Sequence, residues 1–489
     1  MHFSSVLSGT ALLLGPLAGM TAVWADDPVF PYIPTNPNND PDYYDITKFG
    51  ADPSNSAAVN AAAINSALNT CNAAGGGTVV IPAGTFQCAP MSLNSLSYVN
   101  LQVDGTLQAP DQNDFGSNPA GSYYIYWKNA YNDMLSGSGT IDGNGSSWWG
   151  SGSGVKFINF SNGQVVAVEN LHVQNTPKEC FTFSGSQTNN VTFNGVTVTN
   201  PSDSPNTDGL DPNGNNFLIE NCNISTGDDD IALKCSTSNV QNGCNNMRIT
   251  NCTFGYGHGL SIGGQTITGV SNVTVTDCIF NNTNYGFRLK AGKANGGVVK
   301  NVTFSNCTMT NVSTPIVINS WYNNGDHYGS KEKSPNPYLQ GLANPGDPSV
   351  TVDEVNNTSE YPFFDNISFS NINATGAGDF NVAIIYGLNS TPAAADASLQ
   401  PPRNIDSISF SNVNLIGDPS GSWGADIYYA SNLDLSGLNV TATNGPNFEL
   451  YGDTFVPEPA TASMALLGSA GLLLCRQRRR VAHAPPPGM

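Results

Sequence analysis

The chain has 489 residues and a formal charge of −20, with only 11% of its residues charged. Such a surface repels a polyanion, so no nucleic-acid partner is expected. The composition is rich in Gly, Asn, Ser, Thr and Val and poor in Lys and Glu, which disfavours a helical protein and suits strands and turns. The length fits two or three average domains, or one elongated repeat domain.

The chain opens with an apolar run at Ala11-Leu12-Leu13-Leu14, and Ala22-Val23-Trp24-Ala25 gives small residues before Asp26-Asp27. Residues 1–25 therefore read as a signal peptide, although only the amino terminus and His2 supply positive charge ahead of the run. Residues 26–44, rich in Pro, Asn and Asp, read as an extended leader. Asp45 to Ala51 is a predicted short strand and turn. Ser54 to Asn72 is a predicted helix with Val59, Ala63 and Leu68 near one face, stopped by Gly75-Gly76-Gly77. Thr78 to Gly84 then gives a strand and turn. A helix at this point would cover the open end of a stacked repeat.

From about residue 160 an internal repeat runs along the chain. A polar residue before each apolar alternation recurs at Gln164, Asn190, Asn216, Asn246, Asn272 and Asn301, in steps of 26, 26, 30, 26 and 29 residues. Weaker copies start at Asn366, Ser407 and Asn432. Five residues after the anchor stand Asn221, Asn251, Asp277, Asn306 and Asn371; six after it stand Cys222, Cys252, Cys278 and Cys307. Identical residues at one offset are expected of a parallel β-helix, whose coils stack about 4.8 Å apart. The fold class is therefore all-β: a parallel β-helix over residues 45–445 with an N-terminal capping helix. The cysteine column reads as core filling, since its spacings do not suit a metal. Disulfides are expected at Cys71 with Cys88 and at Cys235 with Cys244 if the compartment is oxidising. Residues 321–364 interrupt the repeat and read as a long loop, and 446–455 as a linker.

The rest of the chain closes on Val456-Pro457-Glu458-Pro459, an apolar run from Ala460 to Cys475, and Arg476-Gln477-Arg478-Arg479-Arg480. Sixteen apolar residues are short for a free-standing span, which needs about 20. In this order the parts resemble the bacterial Pro-Glu-Pro C-terminal sorting signal, assigned here to 456–480, with 481–489 as a tail. That resemblance implies an exosortase-type processing partner, a transient membrane segment, and a secreted or surface-associated protein of a Gram-negative bacterium.

Ionisable residues collect in four segments of the repeat: Asn206-Thr207-Asp208-Gly209, Gly227-Asp228-Asp229-Asp230, Gly257-His258-Gly259 and Arg288-Leu289-Lys290. In the repeat register they fall at about the same point of four successive coils. Carboxylates crowded in one patch repel, so one should hold its proton while others stay ionised. Glycoside hydrolysis uses that pairing of acid and base. Calcium binding by the same aspartates is the alternative; the neighbouring Arg and Lys favour an anionic substrate.

These four segments, with Phe49-Gly50-Ala51 and Gly76 to Gly84, resemble glycoside hydrolase family 28, the polygalacturonases. The resemblance covers roughly residues 45 to 440. It implies a right-handed helix and hydrolysis of α-1,4-galacturonosyl linkages in polygalacturonate or pectin with inversion. Asp228 would be the general acid, Asp208 and Asp229 would activate water, and His258 would tune the acid. Asn206, Arg288, Lys290 and Tyr322 would bind the pectic substrate. No metal or cofactor is implied, and the chain is expected to act as a monomer. Asp230 departs from the family, in which Cys is frequent, and neither it nor Asp211 is given a role. The same fold and mechanism acting on rhamnogalacturonan or xylogalacturonan is an alternative, as are a lyase and a non-catalytic polysaccharide-binding β-helix. Endo or exo action is left open.

Overall fold

The structure, a computed structural model, describes residues 27–115, 123–150, 154–235, 243–291, 297–320, 322, 362–377, 381–387, 405–419, 421–451 and 453–456. Among these, 22 strands stack as one sheet and 12 as a second. Both sheets pair in parallel from coil to coil, as in Val191↔Phe217↔Met247↔Val273 of the first and Leu210↔Ile231↔Leu260↔Phe287 of the second. The chain is thus a right-handed parallel β-helix, as expected. Its core is a set of apolar columns running along the axis, all buried. Each such side chain contributes about 1.5–3 kcal/mol of burial.

The repeat anchors explain the corners. Asn190, Asn216, Asn246, Asn272, Asn301, Asn366, Ser407 and Asn432 all adopt positive φ, as do Asn221, Asn251, Asp277, Asn306, Asn371 and Asn412. Asn tolerates the left-handed region better than other side chains. Its amide also bonds along the stack: Asn246 Nδ2 donates to Asn216 Oδ1 at 3.0 Å, and Asn251 Nδ2 to Asn221 Oδ1 at 2.6 Å. Gln164 is the exception, because there Val165 takes the left-handed turn. Replacing Asn251 by Ala should cost about 2 kcal/mol, half from strain and half from the lost bond. Asn251→Gly should cost about half as much, since Gly keeps the turn. Denaturation midpoints check this, and equal losses in the two variants would refute the strain term.

The cysteine column is a core column. Leu171, Val196, Cys222, Cys252, Cys278 and Cys307 are buried in line, and Cys307 stacks under Ile372 and Val413. Each thiol donates to the carbonyl two residues earlier, Cys222 to Glu220 at 3.2 Å and Cys278 to Thr276 at 3.2 Å. The expected disulfides are not formed: Cys71, Cys88, Cys235 and Cys244 are free thiols. Burial pushes the thiols of Cys71 and Cys88 up to about 12. Cys235 and Cys244 hydrogen-bond to each other, and Cys235 also meets the Thr268 hydroxyl at 3.0 Å.

Other boundaries move for local reasons. The capping helix is Ala57–Ala73, and it buries Asn60, Ala61, Ala63, Ile64, Ala67, Leu68 and Cys71. Val59 is off that face and 48% exposed, contrary to expectation. Asn60 takes its place, accepting from Asp52 N and donating to Gln87 O, each at 3.0 Å. The 446–455 stretch is not a linker. Phe448–Tyr451 is the last rung of the second sheet, and Val456 N still donates to Leu433 O. Of 321–364, only Tyr322 and residues 362–364 lie within the described residues, as does none of 1–25 or 457–489.

The leader is extended, and it has a course. Asp27 pairs with Arg248, Val29 N donates to Asn190 Oδ1 at 3.4 Å, Tyr32 N to Asn132 Oδ1 at 3.5 Å, and Asn36 exchanges bonds with Thr78. From Asp27 to Asn36 is nine residue steps, roughly 30 Å when extended. The coils it crosses, from the Arg248 strand to the Thr78 strand, are six spacings apart, or about 29 Å. Ala167, Thr192 and Leu218 form one outward column along that path and are nevertheless buried.

Candidate active site

The second sheet positions the site. The turns entering its strands carry the carboxylates and the imidazole: Asp208 precedes Leu210–Asp211, Asp228 to Asp230 precede Ile231–Leu233, and His258 precedes Leu260–Gly264. The turns are pinned to one another, with Gly209 N donating to Asp229 O at 2.9 Å and His258 N to Asp228 O at 2.7 Å. Arg288 and Lys290 are not at this point of the coil. They lie on the strand Tyr285–Ala291, in register with Ser261 and Gly263. The glycines around His258 are required. A Cβ on Gly259, at φ +69°, would stand 1.9 Å from Tyr285 O, and one on Gly257, at φ +122°, would stand 2.7 Å from Asp230 Oδ1.

Asp208, Asp228, Asp229, His258, Arg288 and Lys290 are brought together. Asp229 is buried; Lys290 Nζ donates to its Oδ2 at 2.7 Å, and Arg288 donates to its Oδ1. Ser261 Oγ also donates to that oxygen at 3.0 Å and accepts from Arg288 Nε at 2.9 Å. Burial opposes the charge on Asp229, but Arg288 and Lys290 prevail and hold it well below the usual carboxylate range. Asp228 is the accessible carboxylate, its side chain 21% exposed against 6% for Asp208 and 2% for Asp229. His258 Nδ1 meets Asp228 Oδ1 at 3.0 Å, and Asn206 Nδ2 reaches Asp228 Oδ2 at 3.4 Å. Burial pushes Asp228 up, yet the His258 bond leaves it below its ordinary value; the same bond raises His258 against the effect of burial. The pair thus shares one proton held toward the imidazole before substrate binds. Asp208 is the carboxyl raised well above the usual range, first by burial and then by Asp211, Asp228 and Asp229, with Lys234 acting in opposition.

Several sequence expectations change in detail. Arg288 and Lys290 are buried and paired with Asp229 rather than free to meet a substrate alone. Asn206 touches the Asp228 carboxylate. Tyr322 lies against Lys290, whose Nζ is 5.1 Å from the ring centroid, and Tyr285 packs 4.3 Å from the Arg288 guanidinium. Asp230 is buried; it accepts from Thr226 Oγ1 and Gly259 N, each at 3.0 Å, and ties the aspartate turn to the histidine turn. Lys234 was missed. It bonds Asp208 and Asp211 at 2.7 Å each, and its only sequence signal is a lone Lys ending an apolar strand. Asp228, Asp229 and His258 have ligand atoms within 4.8 Å of one another, the spread of a metal site. A cation there would have to displace Arg288 and Lys290 from Asp229.

A cluster of carboxylates with different proton affinities, set on the outer face of a parallel β-helix, defines the class: a glycoside hydrolase. Residues 71–335 match Glycosyl hydrolases family 28, and the chain belongs to that family. It is 31% identical over 357 residues to an endo-polygalacturonase of Pectobacterium parmentieri, covering 66% of this chain and 85% of that one. It is 33% identical over 293 residues to an endo-polygalacturonase of Pectobacterium carotovorum subsp. carotovorum, covering 53% and 71%. With a probable polygalacturonase of Arabidopsis thaliana the identity is 32% over 300 residues, and the match spans 59% of this chain but only 63% of the relative. In fold it resembles the exopolygalacturonase from Thermotoga maritima (TM-score 0.61, 20% identity, 84% of this chain and 94% of that one). It also resembles the polygalacturonase from Erwinia carotovora ssp. carotovora (TM-score 0.57, 23% identity, 89% and 97%).

Proposed function

We propose that the protein hydrolyses α-1,4-galacturonosyl linkages of polygalacturonate with inversion. The observation that carries the reading is the division among three adjacent carboxylates. Asp228 is partly exposed and bonded only to neutral or proton-sharing groups, Asp229 is locked as an anion by two cations, and Asp208 is buried with a high proton affinity. Asp228, protonated from the His258 pair as substrate displaces water, donates to the leaving glycosidic oxygen. Asp229 orients the attacking water, because both its oxygens are already committed to fixed partners. Asp208, which must be ionised first because burial raises its proton affinity, accepts the water proton as the new bond forms at the anomeric carbon. Arg288 and Lys290 set the positive potential that receives the substrate carboxylate, and Asn206 and Tyr322 border it. Relatives named polygalacturonases, of both endo and exo type, support the substrate class.

Incubation with polygalacturonate and a chelator should release reducing ends without unsaturated product. Unsaturated ends, or an absolute need for calcium, would replace hydrolysis by elimination. Export as a monomer, with residues 1–25 removed and 456–480 processed by an exosortase-type enzyme, completes the proposal. It rests on the sequence of those two segments. Among the described residues no helix is long and apolar enough to cross a membrane.

A further inference from the structure

We propose that Lys234 and Asp211 are positioning residues that set the proton affinity of Asp208, acting as a three-membered charge relay outside the reacting atoms. The inference rests on Asp208 being the base. Lys234 Nζ lies 2.7 Å from Asp208 Oδ2 and 2.7 Å from Asp211 Oδ2, so one ammonium is divided between two carboxylates. Both carboxylates are buried, and Asp211 Oδ1 has no hydrogen-bond partner among the described residues. The lysine is held in place: its N–H donates to Pro212 O at 3.0 Å, and the next residue, Cys235, donates to Gln265 O at 2.7 Å.

The physical need is clear from the surroundings. Asp208 faces Asp228 and Asp229 from the next turn and Asp211 from the strand that follows it, all of which favour its protonated form. Lys234 is the one cation among the groups acting most strongly on it. Asp211 in turn faces Glu179, Lys156 and Cys180, and Lys234 faces Asp229, Lys290 and Tyr322. A base must ionise at working pH and still bind a proton in the transition state. Full pairing with Lys234 would make Asp208 too weak a base, and no pairing would keep it protonated. Dividing the ammonium with Asp211 leaves Asp208 short of full pairing, so its proton affinity stays raised while Lys234 opposes the burial that would raise it further.

The relay makes opposite shifts for its two members. The test is the pH dependence of kcat/KM on polygalacturonate, read as reducing ends, for wild type and for Lys234→Met, Lys234→Arg, Asp211→Asn and Asp208→Asn. Without Lys234 the acid limb should move up by about 1 pH unit or more, and Lys234→Arg should return most of it. In Asp211→Asn the limb should move down, because the whole ammonium then serves Asp208 and one repelling charge is gone. A folded Lys234→Met with an unmoved limb overturns the relay, as does Asp211→Asn shifting upward or not at all. That second variant decides the matter if Lys234→Met does not fold, as judged by its far-UV spectrum and melting. If Asp208→Asn hydrolyses at the wild-type rate, the base assignment falls and the relay with it. If Asp208→Asn is inactive and the limbs do not move, only the relay falls.

Discussion

Asp228→Asn should lower kcat on polygalacturonate by roughly 10³-fold, the usual worth of a positioned proton donor, while the protein remains folded. The variant oxygen at the Oδ1 position can still accept from Asp229 N, now at 2.9 Å, and from His258 Nδ1 at 3.0 Å. The new amide meets Asn206 Nδ2, 3.4 Å away, and an amide flip of Asn206 restores a donor–acceptor pair. Removing the charge also relieves repulsion on Asp208 and Asp229, so stability should hold or rise slightly. The sharper measurement compares leaving groups. An aryl galacturonide with an acidic phenol needs little protonation, and its hydrolysis should suffer far less than that of the polymer. Equal losses on both substrates would show that Asp228 does not act as the acid.

Arg288→Met should be the most destabilising single change at the site, by about 3–5 kcal/mol, since it leaves a buried carboxylate short of its partner. Asp229 and Arg288 are 2% and 5% exposed at their side chains, so bulk solvent compensates little for the lost donor. Lys290 remains at 2.7 Å but serves the other oxygen. The same variant should lose activity, because the water-orienting anion would move or bind a proton. Pairing Arg288→Met with Asp229→Asn separates the effects: the double variant should recover part of the stability, since Asp229 no longer carries a charge short of its partner although the Lys290 ammonium stays buried, and none of the activity. Denaturation midpoints with reducing-end assays check both halves. A double variant no more stable than Arg288→Met would mean that the guanidinium acts through packing on Tyr285 rather than through the ion pair.

The repeat was legible because coil geometry leaves its mark on the chain. A corner needing positive φ selects Asn, and stacking places the next Asn one coil later, so Asn216, Asn246 and Asn272 announce both the turn and the register. The four charged segments were legible for the same reason, as one site reached from successive coils. Cys235 and Cys244 were rightly placed side by side but not as a disulfide: the thiols bond to each other, and Cys235 also meets the Thr268 hydroxyl. Val59 was placed on the buried face because apolar spacing ignores the polar role of Asn60. The final rung at Phe448–Tyr451 was missed because a single strand at the end of a stack has no following copy to set its period.

By itself, then, the chain determined the architecture and pointed to the four charged segments that meet in one place, though not to Lys234 or Ser261, since coil spacing records only demands that repeat along the chain. Only the tertiary structure decided how the charges divide. Arg288 and Lys290 clamp Asp229, Asn206 turns to Asp228, and Lys234 splits between Asp208 and Asp211. Those choices depend on distances of about 3 Å and on burial, which set which carboxyl keeps its proton. No spacing of residue types along a chain contains that information.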